Sequence, residues 1–99
     1  MESETVTVMA KVEARPEHIE QVKEECLALV APSRREEGCL TYDLYQAEDD
    51  PAVFLFYESW RSREDLERHL ESPHCTRFDR NTSGQLAAPE EIVRLRPLA

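Results

Sequence analysis

The chain has 99 residues, 33% of them charged, and a formal net charge of −9. That length suits one domain, read as residues 1–99, and so acidic a chain is a poor partner for nucleic acid or an anionic membrane. No apolar run is long enough to cross a bilayer, and MESETVTVMA has neither the basic start nor the apolar core of a secretory signal, so a cytoplasmic location is expected.

TVTVMAKVEA alternates Val6, Val8, Ala10 and Val12 against Thr7, Met9, Lys11 and Glu13, the period of a strand. RPEHIEQVKEECLALV switches to helical spacing. Pro16 suits a first turn, Glu17 and Glu20 favour the positive end of the dipole, and Ile19, Val22, Cys26, Leu29 and Val30 share one face. Pro32 is expected to kink or end this helix, and Gly38 closes the segment. CLTYDLYQA gives a second strand, with Leu40, Tyr42 and Leu44 opposite Thr41, Asp43 and Tyr45. After the polar turn EDDPA, VFLFYESW forms a third strand, hairpin-paired with the second. Ser62 and Asp65 make a capping-box pattern for a helix running through Leu70. Ser72-Pro73 restarts a helix carrying Cys75, Phe78 and Thr82; Gly84 ends it, and EIVRLRPL is the last strand. The order β-α-β-β-α-β, with its second helix split, predicts an α+β, ferredoxin-like fold: a four-stranded antiparallel sheet with helices on one face.

Function is most visible in the third strand. Alternation puts Phe54, Phe56, Glu58 and Trp60 on one face and Val53, Leu55 and Tyr57 on the other. Both faces are apolar, whereas an antiparallel sheet covered on one side normally wets the other. A second copy is the expected cover, giving a homodimer packed sheet to sheet. In the next helix Leu66 and Leu70 mark a core stripe, and His69, three residues from Leu66, points toward the sheet. Glu58 and Trp60 point back at it. A buried carboxylate needs partners, which an imidazole or a Tyr hydroxyl supplies. A polar tip on so apolar a strand is expected where it lines a cavity, although a lone histidine on an apolar helix face is commonly a satisfied core residue.

Charge is uneven along the chain. Residues 1–60 hold 14 acids and 5 bases, and residues 61–80 hold 5 of each, so the segment after Trp60 is the expected approach for an anionic or electron-rich ligand. Cys26, Cys39 and Cys75 are an odd number in a chain without an export signal and are read as reduced. No Cys-x-x-Cys pair occurs, and no metal site is expected.

The stretch PEHIEQVKEECLALVAPSRREEGCLTYDLYQAEDDPAVFLFYESWRSREDLERHLESPH resembles the antibiotic-biosynthesis-monooxygenase-like domains of the dimeric α/β-barrel superfamily. Gly38-Cys39, the Tyr42 strand, Glu58-x-Trp60, His69 and Ser72-Pro73-His74 carry the likeness. It implies a dimeric α/β barrel with a pocket between sheet and helices. Members of such families oxidise quinols or aromatic polyketides without a cofactor, degrade haem, or isomerise small metabolites; others have no known activity. The polyketide oxidisers carry Asn and Tyr where this chain has Phe56 and Leu66. Haem degraders carry Trp at the His69 place and His at the Asp79 place, so haem is disfavoured. The resulting expectation is a cofactor-independent monooxygenase of a quinol or other electron-rich aromatic. His69 is its base, Glu58 orients His69, and Trp60 completes the catalytic group by packing the substrate ring with Phe56 and Phe78. Phe54, Phe56, Leu66, His74, Phe78 and Arg80 bind the substrate, and no metal or flavin takes part. The alternatives are a non-catalytic small-ligand or stress-response module and an isomerase using the same pocket. Cys75 is read as packing, although it sits in a first helical turn where a thiolate is favoured.

Overall fold

The computed structural model describes residues 5–99. Strand β1 spans Val6–Glu13 and leads through a short 3-10 turn, Pro16–His18, into helix α1, Ile19–Arg34. Strands β2, Cys39–Gln46, and β3, Val53–Trp60, form the hairpin. Helices α2, Arg63–Leu70, and α3, Pro73–Asn81, are the two halves of the split second helix, and β4, Glu91–Leu95, closes the order. The sheet runs β2-β3-β1-β4 and is antiparallel throughout, the ferredoxin-like arrangement expected from the sequence. No helix among the described residues is long and apolar enough to cross a membrane.

The core lies between the sheet and the helices. Val8, Ala10 and Val12 of β1 and Phe54, Phe56 and Trp60 of β3 face Val22, Cys26 and Leu29 of α1, with Leu66 and Phe78 closing the far end. The alternation expected in β3 holds: Phe54, Phe56, Glu58 and Trp60 are buried, and Tyr57 on the other face is exposed.

Three local expectations are corrected. Helix α1 continues past Pro32 to Arg34, because a proline one turn from the end removes a single N–H and leaves the last turn intact; the Arg35 N–H still reaches the Ala31 carbonyl. Leu40 does not share the Tyr42 face. The β2–β3 register shifts between Cys39 and Thr41, and the extra residue is left exposed. Leu70 is also 46% exposed and outside the buried core, since α2 ends there; it lines the cavity between sheet and helices.

The entry into β2 is tightly built. Gly38 adopts φ +93°, and a Cβ there would collide with the Asp65 carboxylate. Asp65 cannot easily retreat. Its carboxylate accepts from Arg61 Nε at 2.9 Å, Ser62 Oγ at 3.0 Å and Arg68 Nη1 at 2.6 Å, while its own N–H donates to Ser62 Oγ, which caps α2. The Arg61 guanidinium, ahead of the other donors, holds the Asp65 carboxyl down at about 2. Gly38→Ala is therefore expected to lose about 2–4 kcal/mol of stability in urea unfolding. Gly84 has a similar φ of +80° but open space where a Cβ would stand, so Gly84→Ala is expected to lose only about 1 kcal/mol. Equal losses would mean that the Asp65 contact adds nothing to the backbone strain.

Candidate functional site

A cavity of about 250 Å³ opens between the sheet and the helices. Its apolar walls are Val8 and Ala10 of β1, Phe56 of β3, Leu66 of α2 and Phe78 of α3. Besides Tyr42, its ionisable lining is Glu58, His69, Cys75, Asp79 and Glu90. Tyr42 closes one side, with its ring edge-on to His69 at 5.4 Å between centroids.

His69 is 2% exposed, and its ring lies against Trp60 with centroids 4.5 Å apart. On one side Nδ1 stands 2.7 Å from Glu36 Oε2. On the other, Nε2 turns toward Glu58 Oε1 at 4.0 Å and the Cys75 thiol at 3.5 Å. Glu36 also takes His74 Nε2 at 2.6 Å on the same oxygen. A carboxylate only accepts, so both imidazoles donate to it. His69 is therefore protonated on Nδ1 and carries its lone pair on Nε2, next to Glu58 at the cavity. Burial lowers the His69 pKa, with the Glu36 hydrogen bond pulling the other way, so the ring is neutral near pH 7.

Glu58 is held differently from the expectation. Its partner is not His69, which is too distant for a hydrogen bond, but the Trp60 indole, whose Nε1 donates to Oε1 at 3.0 Å. Alternation in β3 puts these two side chains on one face, two residues apart. Burial, only partly offset by the indole, pushes the Glu58 carboxyl up to about 7. A carboxyl raised in the fold contributes stability that is fully present below about 4.5 and is lost as pH rises through about 7. The lowered His69 works in the opposite direction, its contribution disappearing as pH falls below 6.5. Glu58→Gln keeps an acceptor for Trp60 and removes the first dependence. The variant is expected to gain up to about 3 kcal/mol on wild type between pH 4.5 and pH 8 in urea titrations. A difference independent of pH would show that Glu58 ionises as freely folded as unfolded.

The other expected site residues divide. Phe56, Leu66, Phe78, Glu58 and His69 meet at the cavity. Trp60 is fully buried behind it, so it positions Glu58 and His69 and does not pack a ligand ring. Phe54 is 1% exposed and lies outside the cavity, next to a shallow groove with Leu44. His74 bonds Glu36, and Arg80 is exposed; neither lines the cavity. The cavity is also more acidic than the charge count along the chain implied, because Glu58 and Glu90 lie outside the balanced 61–80 segment yet fold onto it.

Glu36 was missed from the sequence. It sits in the turn after α1, where a charged residue reads as solvated, and its partners are 33 and 38 residues away. The only available signal was the pair of histidines flanking the α2–α3 junction, and there Glu71, lying between them, is the acid the sequence suggests. Glu36, His69 and His74 bring one ligand atom each within 4.8 Å, the donor set of a divalent-metal site. Their 2.6 and 2.7 Å separations are hydrogen-bond distances. Ligands sharing a tetrahedral zinc stand roughly 3.3 Å apart, so an ion would have to spread the set. Cys26, Cys39 and Cys75 are free thiols, and burial pushes Cys75 up to about 11, which makes it an inert neighbour of His69.

A four-stranded ferredoxin-like sheet with an imidazole and a buried carboxyl at a cavity beneath its helices defines a class of small α+β domains. Within it, residues 5–81 match the model of the antibiotic biosynthesis monooxygenase family. The chain is 34% identical over 93 residues to Putative monooxygenase Rv0793 of Mycobacterium tuberculosis, a match covering 94% of this chain and 91% of that one. It is 35% identical over 91 residues to the uncharacterized protein sll1783 of Synechocystis, covering 88% of this chain but 59% of that protein's length. The crystal structure of PA3566 from Pseudomonas aeruginosa superposes with a TM-score of 0.91 at 42% identity, covering 98% of this chain and 97% of that one. The chain belongs to the antibiotic biosynthesis monooxygenase family.

Proposed function

We propose that the chain is a cofactor-independent monooxygenase of a quinol or similar electron-rich phenol, with His69 as its base. Family membership supports monooxygenase-like chemistry. The observation that carries the finer reading is the His69 Nε2 lone pair, fixed by the Glu36 bond to Nδ1 in a residue that lines the cavity. Only an electron-rich ring reacts with dioxygen unaided. Nε2 takes the proton of a ring hydroxyl, and the imidazolium so formed pairs with the phenolate. The phenolate passes one electron to dioxygen, and the semiquinone and superoxide combine at a ring carbon. The peroxide takes the proton back and loses water. A quinol and one dioxygen thus give one hydroxyquinone and one water, with no external reductant. The cavity volume of about 250 Å³ suits one or two fused rings. We further propose that the active form is a homodimer joined through the outer sheet face.

Anaerobic enzyme with reduced menadione, then exposed to isotope-labelled dioxygen, is expected to give a hydroxyquinone carrying one labelled oxygen and to release no peroxide. Oxygen uptake no faster than enzyme-free autoxidation would remove the oxygenase reading. Saturable binding without uptake then favours the ligand-binding module, and oxygen-independent conversion favours the isomerase.

A further inference from the structure

We propose that the cavity selects a ring whose substituents donate hydrogen bonds and carry no negative charge, a neutral dihydroxyarene, and that Asp79 and Glu90 exclude rings bearing carboxylate, sulfonate or phosphate. This inference rests on the quinol reading of the same site and narrows its substrate.

Among the described residues, no Lys or Arg lines the cavity, and three carboxyl groups do. A bound anion would therefore meet Glu58 inside and the exposed Asp79 and Glu90 on the same wall, without a counter-charge. The interior offers acceptors. Glu58 is 5% exposed; its Oε1 is taken by the Trp60 indole, while Oε2 has no hydrogen-bond partner among the described residues. His69 Nε2 is the second acceptor, 4.0 Å from Glu58 Oε1 and 3.5 Å from the Cys75 thiol, a weak donor that a ring hydroxyl would outcompete. Both acceptors belong to residues lining the cavity, where ring hydroxyls are the donors that match them. Asp79 and Glu90 line the same cavity, and the Glu90 carboxyl is raised first by desolvation and then by the charge of Asp79. Asp79 belongs to α3 and Glu90 precedes β4, so the fold itself converges two acids from distant segments on one cavity. The charge balance of the proposed reaction agrees. A neutral ring gives up its proton to His69 and becomes half of an ion pair, whereas a ring already anionic leaves one charge uncompensated.

The test is calorimetric titration of the full chain under argon with two probes, naphthalene-1,4-diol and 1,4-dihydroxy-2-naphthoate. At low ionic strength and pH 7.5 the neutral diol is expected to bind at least roughly tenfold more tightly. The readout is the ratio of the two affinities. It is expected to fall to within about threefold in Asp79→Asn/Glu90→Gln, and to shrink for wild type in 0.5 M salt, since exposed charges are screened. The salt arm needs no substitution and so stands even if the variant fails to fold. Carboxylate binding as tight as diol binding, a ratio unmoved by salt, or binding of neither probe overturns the inference. Selection for the diol without oxygen uptake would sink the oxygenase reading and leave the selectivity; uptake with both probes equally would do the reverse.

Discussion

Alanine at His69 is expected to slow turnover of a reduced naphthoquinone by about 10²–10⁴-fold, the usual worth of a positioned general base. The effect should fall on kcat, because the apolar walls that hold the ring, Phe56, Leu66 and Phe78, are untouched. Added imidazole should restore part of the lost rate if a base is what is missing. Glu36→Gln gives a second reading of the same geometry. The amide still accepts from His69 Nδ1 but no longer stabilises the imidazolium, so a smaller loss is expected, with the acid limb of activity shifted to lower pH. Oxidation by His69→Ala at the wild-type rate would remove His69 from the chemistry and leave it a core residue.

Glutamate at Leu55 is expected to abolish the proposed homodimer. Leu55 lies on the outer sheet face, directly opposite Lys11 of β1 and Tyr45 of β2. The same face carries Tyr57, Val93 and Leu95, which are 38%, 51% and 38% exposed in the single chain. Register places them together: Val93 pairs with Met9 and Leu95 with Thr7, and Met9 pairs with Tyr57. A second sheet laid on this face would leave each introduced carboxylate buried without adequate pairing, a cost of about 3–5 kcal/mol. In the free protomer Lys11 sits across the strand from the new carboxylate, so the variant should remain folded as a monomer. Light scattering at micromolar concentration decides the matter. A wild-type monomer, or a Leu55→Glu dimer, would show that the outer face is not the interface.

What was legible in the sequence is what short-range periodicity and capping determine. The period of two in Val53–Trp60 named the buried face of β3, and Ser62 with Asp65 marked the start of α2. What was not legible depends on pairings made across the fold. The bulge that exposes Leu40 is a property of the β2–β3 register, and Glu36 acquires its role only when α2 and α3 bring two imidazoles to one carboxylate oxygen. Phe54 and Phe56 have identical patterning, yet only Phe56 reaches the cavity, because helix placement along the strand distinguishes them. The acidity of the cavity was hidden for the same reason, as Glu90 comes from a segment far from β3 in the chain.

The two-sided apolar character of β3 has a consequence for how faithfully the chain folds. Strands are normally kept in register because a slip by one residue exposes the apolar set. Here such a slip would trade Phe54 and Phe56 for Val53, Leu55 and Tyr57, and burial alone penalises the exchange weakly. Glu58 breaks the tie. In the native register its carboxyl meets the Trp60 indole inside the core; one residue out, both would leave that pocket and Ser59 would enter it. The hydrogen bond that supports the candidate site thus also discriminates the correct pairing from its neighbour, which ties the identity of residue 58 to assembly as well as to chemistry.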